Sequence, residues 1–167
     1  MDIEKNNTLK DKDKVKLLFV CLGNICRSPA AEEVFRTLAI ERGLGDMFEV
    51  DSAGTYSGHR GQLPDKRMRV HAARRGYNLT HRARPVMESD FEEFDLIVAM
   101  DDANREDLRA IAPSPETREK IVLMAPYCRR PFGYNHVPDP YYEGSEGFEI
   151  VLDMLEDACS GLLESMV

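Results

Sequence analysis

Short apolar runs alternate with longer amphipathic stretches along this chain. The runs fall within residues 15–20, 48–51, 96–100 and 120–123, and they are rich in Val, Leu, Ile and Phe. Runs of this length and composition are typical of buried strands in a parallel sheet. The pattern therefore predicts four strands.

The stretches between these strands carry apolar residues at helical spacing. After the first strand, the residues that share one helix face are Val34, Phe35, Leu38 and Ala39. Further helices are predicted over residues 65–75, 88–94 and 101–112, with a last one near the end of the chain. Strands that alternate with helices predict a three-layer α/β fold, in which a four-stranded, parallel, doubly wound sheet carries helices on both faces. Ligands bind such sheets at the carboxyl ends of the strands.

Length and composition are those of one globular domain. The chain has 167 residues, of which 43% are hydrophobic and 31% charged, and this balance is ordinary for a globular protein. Residues 1–14 are polar and charge-rich, so we expect a disordered leader there and a single domain over residues 15–167. The segment 126–147 contains several prolines and glycines, and a long irregular loop of this kind is usually functional.

Charge and cysteine content exclude several classes of protein. The net charge of −8 at pH 7 argues against nucleic acid as a partner. No run approaches the roughly 20 apolar residues of a membrane span, and the leader has no apolar stretch for a signal peptide. The four cysteines form no disulfide framework and none has zinc-site spacing. We therefore expect a cytoplasmic protein that needs neither a metal nor a cofactor.

The candidate chemistry lies between the first strand and the first helix, in the segment Val20–Pro29. Its sequence is Val-Cys-Leu-Gly-Asn-Ile-Cys-Arg-Ser-Pro. We expect Ser28 to cap the helix, Pro29 to occupy its first position, and acidic residues to fill its first turn. A strand, a tight loop and a helix start aim backbone N–H groups and the positive end of the helix dipole at one point. The segment therefore predicts an anion site, in which Gly23 and Asn24 tolerate left-handed backbone conformations.

Two side chains give this anion site a reaction to perform. Cys21 follows the first strand directly, where the N–H dipoles and the Arg27 guanidinium favour the thiolate over the thiol. Arg27 presents a planar pair of donors that matches two oxygens of a phosphoryl group. A thiolate nucleophile beneath a bound phosphate indicates a phosphatase.

The Cys-x5-Arg-Ser segment in this setting resembles the low-molecular-weight protein tyrosine phosphatase family. The resemblance extends from about residue 16 to residue 163, and further segments agree with the family in order. These segments are Asp-Ser-Ala-Gly-Thr at 51–55, Thr-His-Arg-Ala-Arg at 80–84, Ala-Met-Asp at 99–101 with Asn104, and Asp-Pro-Tyr-Tyr at 139–142. The resemblance implies that the partner is a phosphotyrosine-bearing protein, and a bacterial tyrosine kinase is one candidate.

The resemblance also assigns roles to individual residues. Asp139 is expected to protonate the departing phenol and Tyr141 to line the pocket, where it would stack on the substrate ring. Ser28, Ser52 and His81 are expected to hold Asn24 in a strained conformation, and Cys26 to form a disulfide with Cys21 under peroxide. The residues expected to bind the substrate are Leu22, Gly23, Asn24, Ile25, Cys26, Ser28 and Tyr141.

Two enzymes of the same fold remain as alternatives. Thiol-coupled arsenate reductases use two further cysteines in the region equivalent to residues 81–89, where this chain has none. Arginine phosphatases typically carry Thr at the position of Ile25, and the apolar Ile25 favours an aromatic substrate instead. A phosphocarrier domain would lack both Arg27 and Asp139, and a binding protein with a dead site is disfavoured because every catalytic residue is present.

One position departs from the family pattern. Relatives usually carry an aromatic residue just before the position of His59, on a loop that flanks the substrate ring. Here that residue is Gly58, whereas Tyr56 lies two residues earlier. The sequence leaves the shape of this pocket wall open.

Overall fold

The computed structural model describes residue 9, residues 12–140 and residues 144–167, with the side chains of 144 and 145 excepted. Within the predicted leader, Leu9 is 6% exposed and packs in the main core, and Lys12 pairs with Asp95. Residues 1–8, 10 and 11 lie outside the described residues. The division of the chain into leader and domain therefore stays a prediction.

Four parallel strands form the central sheet in the order β2-β1-β3-β4. They are β1 Val15–Cys21, β2 Phe48–Gly54, β3 Leu96–Ala99 and β4 Ile121–Leu123. The register sets Cys21 opposite Gly54 and Val20 opposite Ala99. The carboxyl ends of β1, β2 and β3 therefore meet at one edge of the sheet.

Helices cover both faces of the sheet. They are α1 Arg27–Glu41, α2 Lys66–Ala73, α3 Asp90–Glu93, α4 Asp102–Ile111, α5 Pro115–Arg118 and α6 Gly144–Ser165, with 3₁₀ turns at Gly45–Met47 and Ala125–Tyr127. Side chains alternate across a strand, so Leu17 and Phe19 join the core beneath α1, α2 and α6. Leu18 and Val20 point to the other face and pack against α3 and α4. The predicted three-layer, doubly wound fold is confirmed.

The predicted start of the first helix is wrong in detail. Helix α1 begins at Arg27, its N-cap residue Cys26 makes no side-chain cap, and its first turn holds no acidic residue. The Ser28 hydroxyl lies against the Cys21 sulfur at 3.0 Å and accepts a hydrogen bond from Asn24. This side chain is therefore committed to the loop and does not cap the helix.

Two boundaries and one further helix also differ from the sequence pattern. Strand β2 continues to Gly54, because its last residues pair with β1 up to Cys21. Helix α5 was not predicted, although Ser114 and Thr117 form a capping box around it. Helix α6 begins at Gly144, which shortens the irregular segment predicted over 126–147. Among the described helices, none is long and apolar enough to cross a membrane.

Candidate active site

The loop that joins β1 to α1 turns sharply at Asn24. Asn24 has φ 55°, a left-handed conformation that non-glycine residues rarely adopt. Its side-chain amide donates to the hydroxyls of Ser28 at 2.8 Å and Ser52 at 3.0 Å. Its Oδ1 accepts from the backbone N–H of Arg84 at 3.0 Å and lies 2.9 Å from Nε2 of His81. The side chains expected to hold Asn24 therefore contact it directly.

A second layer, which the sequence reasoning missed, supports this network. Ser52 donates to Glu32 across 2.7 Å, and Nδ1 of His81 lies 3.3 Å from Glu32 and 3.5 Å from Asp51. The signal for Glu32 was its place one helical turn after Ser28, on the same face of α1. Although such a cluster could hold a metal ion, Arg36 already pairs with Glu32 and Arg84 with Asp51. We interpret it as an ion-pair network that braces the loop.

Arg27 is buried beneath the loop, with only 3% of its surface exposed. Its Nη1 donates to Asp101 at 2.6 Å and to the carbonyl oxygen of Val137 at 3.1 Å, and its Nη2 lies 3.7 Å from Asp139. Burial alone would lower the pKa of Arg27, but negative charge on Cys21 and the bond to Asp101 outweigh burial and raise the pKa. The guanidinium therefore stays charged and fixed in orientation.

From the sequence, Asp101 was recognised only as part of a segment that resembles the family. Its other carboxylate oxygen accepts from the backbone N–H of Asn104 at 2.8 Å and so caps α4. The signal for its role was its position two residues after the end of β3, since the carboxyl ends of these strands meet at one edge. One residue thus fixes both a helix start and the Arg27 side chain.

One pocket gathers most of the residues expected to act on a substrate. Its lining consists of Cys21, Leu22, Gly23, Ile25, Cys26, Arg27, Tyr56, His59 and Asp139. Asn24, Ser28, Ser52 and His81 lie behind the loop, whereas Tyr141 lies outside the described residues. Tyr56 and His59 are additions, because sequence reasoning assigned them no role.

The two cysteines of the pocket differ in their surroundings. Cys21 lies against Ser28, and negative charge on Cys21 raises the pKa of the Arg27 guanidinium. Burial raises the pKa of the Cys26 thiol, and the nearby Asp65 carboxylate raises it further. Cys26 is therefore a protonated thiol at neutral pH and a poor nucleophile.

Comparison with known proteins identifies the family. Residues 16–167 match the model of the low molecular weight phosphotyrosine protein phosphatases. The chain is 44% identical to a low molecular weight protein-tyrosine-phosphatase of Streptomyces coelicolor, over 90% of this chain and 93% of that protein. The chain belongs to this family and is an enzyme of the low molecular weight protein-tyrosine-phosphatase class.

Solved structures agree with this assignment and broaden it. A protein tyrosine phosphatase from Entamoeba histolytica superimposes with a TM-score of 0.87 at 47% identity, covering 90% of this chain and 96% of that one. A Drosophila arginine phosphatase superimposes with a TM-score of 0.81 at 34% identity, covering 90% of this chain and 96% of that one. Phosphatases that are named for different substrates, tyrosine and arginine, therefore share this fold.

Proposed function

We propose that this enzyme hydrolyses phosphotyrosine in proteins through a cysteinyl-phosphate intermediate. The observation that carries the proposal is the meeting of Cys21, Arg27 and Asp139 in one pocket. A nucleophile, an anion binder and a proton donor are the three groups that phosphate-ester hydrolysis through a covalent enzyme intermediate needs.

Arg27 binds the phosphoryl group in this proposal. Its Nη1 is occupied by Asp101 and Val137, which leaves the Nη2 side of the guanidinium turned toward Asp139 and the pocket. The backbone N–H groups of the loop lie at the start of α1, where the helix dipole favours negative charge. Together they neutralise the equatorial oxygens, which carry the charge in the transition state.

Cys21 then attacks the phosphorus atom in line with the leaving oxygen. A sulfur–phosphorus bond forms, the phosphorus–oxygen bond to the tyrosine breaks, and Asp139 gives its proton to the departing phenol. In the second half, water attacks the phosphorus while Asp139 takes its proton. The sulfur–phosphorus bond breaks, inorganic phosphate leaves, and the Ser28 hydroxyl 3.0 Å from the sulfur stabilises the returning thiolate.

Ile25 favours phosphotyrosine over phosphoarginine. It lines the pocket and is half-buried within the phosphate loop, residues 22–26 between β1 and α1. An apolar side chain packs well against a phenyl ring, but it leaves the N–H donors of a guanidinium without an acceptor. Arginine phosphatase activity is the second candidate, since a solved arginine phosphatase shares this fold.

The proposed substrate is a phosphotyrosine-bearing protein, with a bacterial tyrosine kinase as one candidate. A thiolate nucleophile works only where thiols stay reduced, so the proposed compartment is the cytoplasm. The alternative of a thiol-coupled arsenate reductase has less support. Outside the pocket, the free cysteines of the described residues are Cys128 and Cys159. Cys128 contacts a carbonyl oxygen of α6, and Cys159 lies on α6.

The test is side-by-side turnover of three peptides that differ only in the phosphorylated residue. We expect kcat/KM for the phosphotyrosine peptide to exceed the values for phosphoserine and phosphoarginine peptides by at least about tenfold each. A higher value for phosphoarginine would move the assignment to the second candidate. Reduction of arsenate at the expense of a thiol, without phosphatase activity, would contradict both.

A further inference from the structure

Tyr56 holds an unusual position at the mouth of the pocket. Although it lines the pocket, 54% of its surface is exposed. A Cβ atom added at Gly58 would overlap the Cζ and Oη atoms of Tyr56. The phenol ring therefore lies directly over the α-carbon of Gly58, in the space that any side chain at position 58 would occupy.

Three further contacts fix this ring relative to the phosphate loop. The backbone N–H of Tyr56 donates to the carbonyl of Leu22 at 2.9 Å, and the ring of His59 meets that of Tyr56 edge to face, with centroids 5.8 Å apart. His59 rests in turn on the loop, because its Cδ2 lies 2.9 Å from where a Cβ of Gly23 would be. The Tyr56 ring is thus held against Gly58 and His59 although more than half of the Tyr56 surface is exposed.

A substrate bound at Cys21 lies in the same pocket as this ring. Arg27 and the loop amides hold the phosphoryl group at the floor, so the organic part of the ester extends toward the mouth between Tyr56, Ile25 and Asp139. An aromatic ring at the mouth of the pocket can stack on another ring, whereas it gains little contact with a short alkyl chain. The geometry selects for the shape of the leaving group.

We propose that Tyr56, held over Gly58, is the wall that binds the aromatic ring of the substrate and sets the preference for aryl over alkyl phosphates. Gly58 is the second half of this device, because the ring can lie there only if position 58 has no side chain. The inference rests on the proposed function and names the part of the pocket that distinguishes aryl from alkyl substrates.

The test compares ligands that differ only in the ring. Titration calorimetry measures the affinities of inorganic phosphate, propylphosphonate and benzylphosphonate for the wild type and for Tyr56→Ala. We expect Tyr56→Ala to weaken benzylphosphonate about three- to tenfold, the range for losing one aromatic contact. Phosphate and propylphosphonate should change less than about twofold. Equal weakening of all three anions would overturn the proposal, because it would indicate a distorted phosphate loop.

Gly58→Ala is the sharper variant. Its new methyl group must displace the Tyr56 ring, and this costs the fold little because the displaced atoms are the exposed end of a side chain. Although it removes no atom from the pocket, it should weaken benzylphosphonate as Tyr56→Ala does, again by about three- to tenfold. The double variant should lose no more than either single variant, since both remove the same contact. Additive losses, or unchanged benzylphosphonate binding in Gly58→Ala, would overturn the proposal.

Ser57→Ala is the matched control on the same loop, because the Ser57 side chain is exposed and is not among the residues that line the pocket. Its affinities for all three anions should equal those of the wild type. These are binding measurements, so they stay informative if turnover is absent. Equal hydrolysis of phosphotyrosine and phosphoserine would overturn the proposed function, whereas the affinity ratio of benzylphosphonate to phosphate tests Tyr56 alone.

Discussion

Arg27 donates a hydrogen bond to the carbonyl oxygen of Val137, 3.1 Å away and 110 residues further along the chain. The backbone N–H of Val137 donates to the carbonyl oxygen of Met100 at 2.9 Å, directly after β3. Val137 is fully buried and stands two residues before Asp139. The side chain proposed to bind the phosphate therefore also holds the segment that carries the proposed proton donor.

The first prediction concerns Asp139. Asp139→Asn should slow hydrolysis about 10²–10⁴-fold for leaving groups of high pKa, because that is the usual contribution of general acid catalysis. The loss should shrink for p-nitrophenyl phosphate, whose leaving group departs without a proton. The measurement is kcat/KM for a series of aryl phosphates, with the p-nitrophenyl ester as internal control. Equal losses across the series would assign Asp139 a structural role.

The second prediction concerns the network behind the loop. Ser52 is fully buried, accepts from Asn24 and donates to Glu32. Ser52→Ala removes the hydroxyl, so Asn24 and Glu32 each lose a hydrogen bond in a buried site. This loss should lower the free energy of unfolding by about 1–3 kcal/mol. Because Asn24 loses a support, kcat should fall as well. Urea denaturation of Ser52→Ala and of the exposed control Ser57→Ala measures the difference. Equal stability of the two variants would show that the network does not support the loop.

Ile25 provides the third prediction, because it separates two phosphatases with the same catalytic residues. A threonine hydroxyl at this position could accept a hydrogen bond from a guanidinium, although the threonine side chain is shorter than that of Ile25 and has the shape of valine. Ile25→Thr should therefore lower kcat/KM for phosphotyrosine and raise it for phosphoarginine, shifting the ratio by about 1–3 kcal/mol. Ile25→Val is the matched control, since it shortens the side chain and adds no acceptor. An unmoved ratio would contradict the specificity argument and leave the catalytic roles intact.

Oxidation supplies the fourth prediction. Peroxide should convert the Cys21 thiolate to a sulfenic acid, which Cys26 then attacks to give a disulfide and water. Burial and Asp65 raise the pKa of Cys26, so less of its thiolate is present at neutral pH and ring closure should accelerate as the pH rises. Peptide mapping and recovery of activity with dithiothreitol measure the disulfide at several pH values.

Two cysteine variants test the same reaction from opposite sides. Cys26→Ala should lose activity to peroxide irreversibly, because nothing then protects the sulfenic acid of Cys21. Cys128→Ser is the control, since Cys128 bonds to the carbonyl of Met154 and lies outside the pocket. Full recovery of Cys26→Ala after dithiothreitol would refute a protective disulfide.

The fold was predictable because its signals are local. Leu17, Leu18, Phe19 and Val20 form a run that is hydrophobic on both sides, and both sides are buried against helices. The phosphate loop was predictable for the same reason, since Cys21, Asn24 and Arg27 are neighbours in sequence. Spacing along the chain carried this part of the site.

The remaining features depend on contacts between distant segments. Ser28 precedes a proline at a predicted helix start, as a helix cap would. Its hydroxyl instead lies against the Cys21 sulfur and accepts a hydrogen bond from Asn24. The Tyr56 ring reaches its place only because Gly58 leaves room for it, and no local preference encodes where an exposed ring will lie. Asp101 could have been inferred from its position after β3, although its bond to Arg27 requires the assembled sheet.

The most direct test of the account is detection of the phosphorylated enzyme. Rapid acid quench of the wild type during turnover of p-nitrophenyl phosphate, followed by peptide mass spectrometry, should find one phosphoryl group, on Cys21. The fifth prediction is that Cys21→Ser, folded and still able to bind phosphate, shows no burst of p-nitrophenolate and no turnover. A phosphoryl group on another residue, or substantial hydrolysis by Cys21→Ser, would contradict the covalent mechanism.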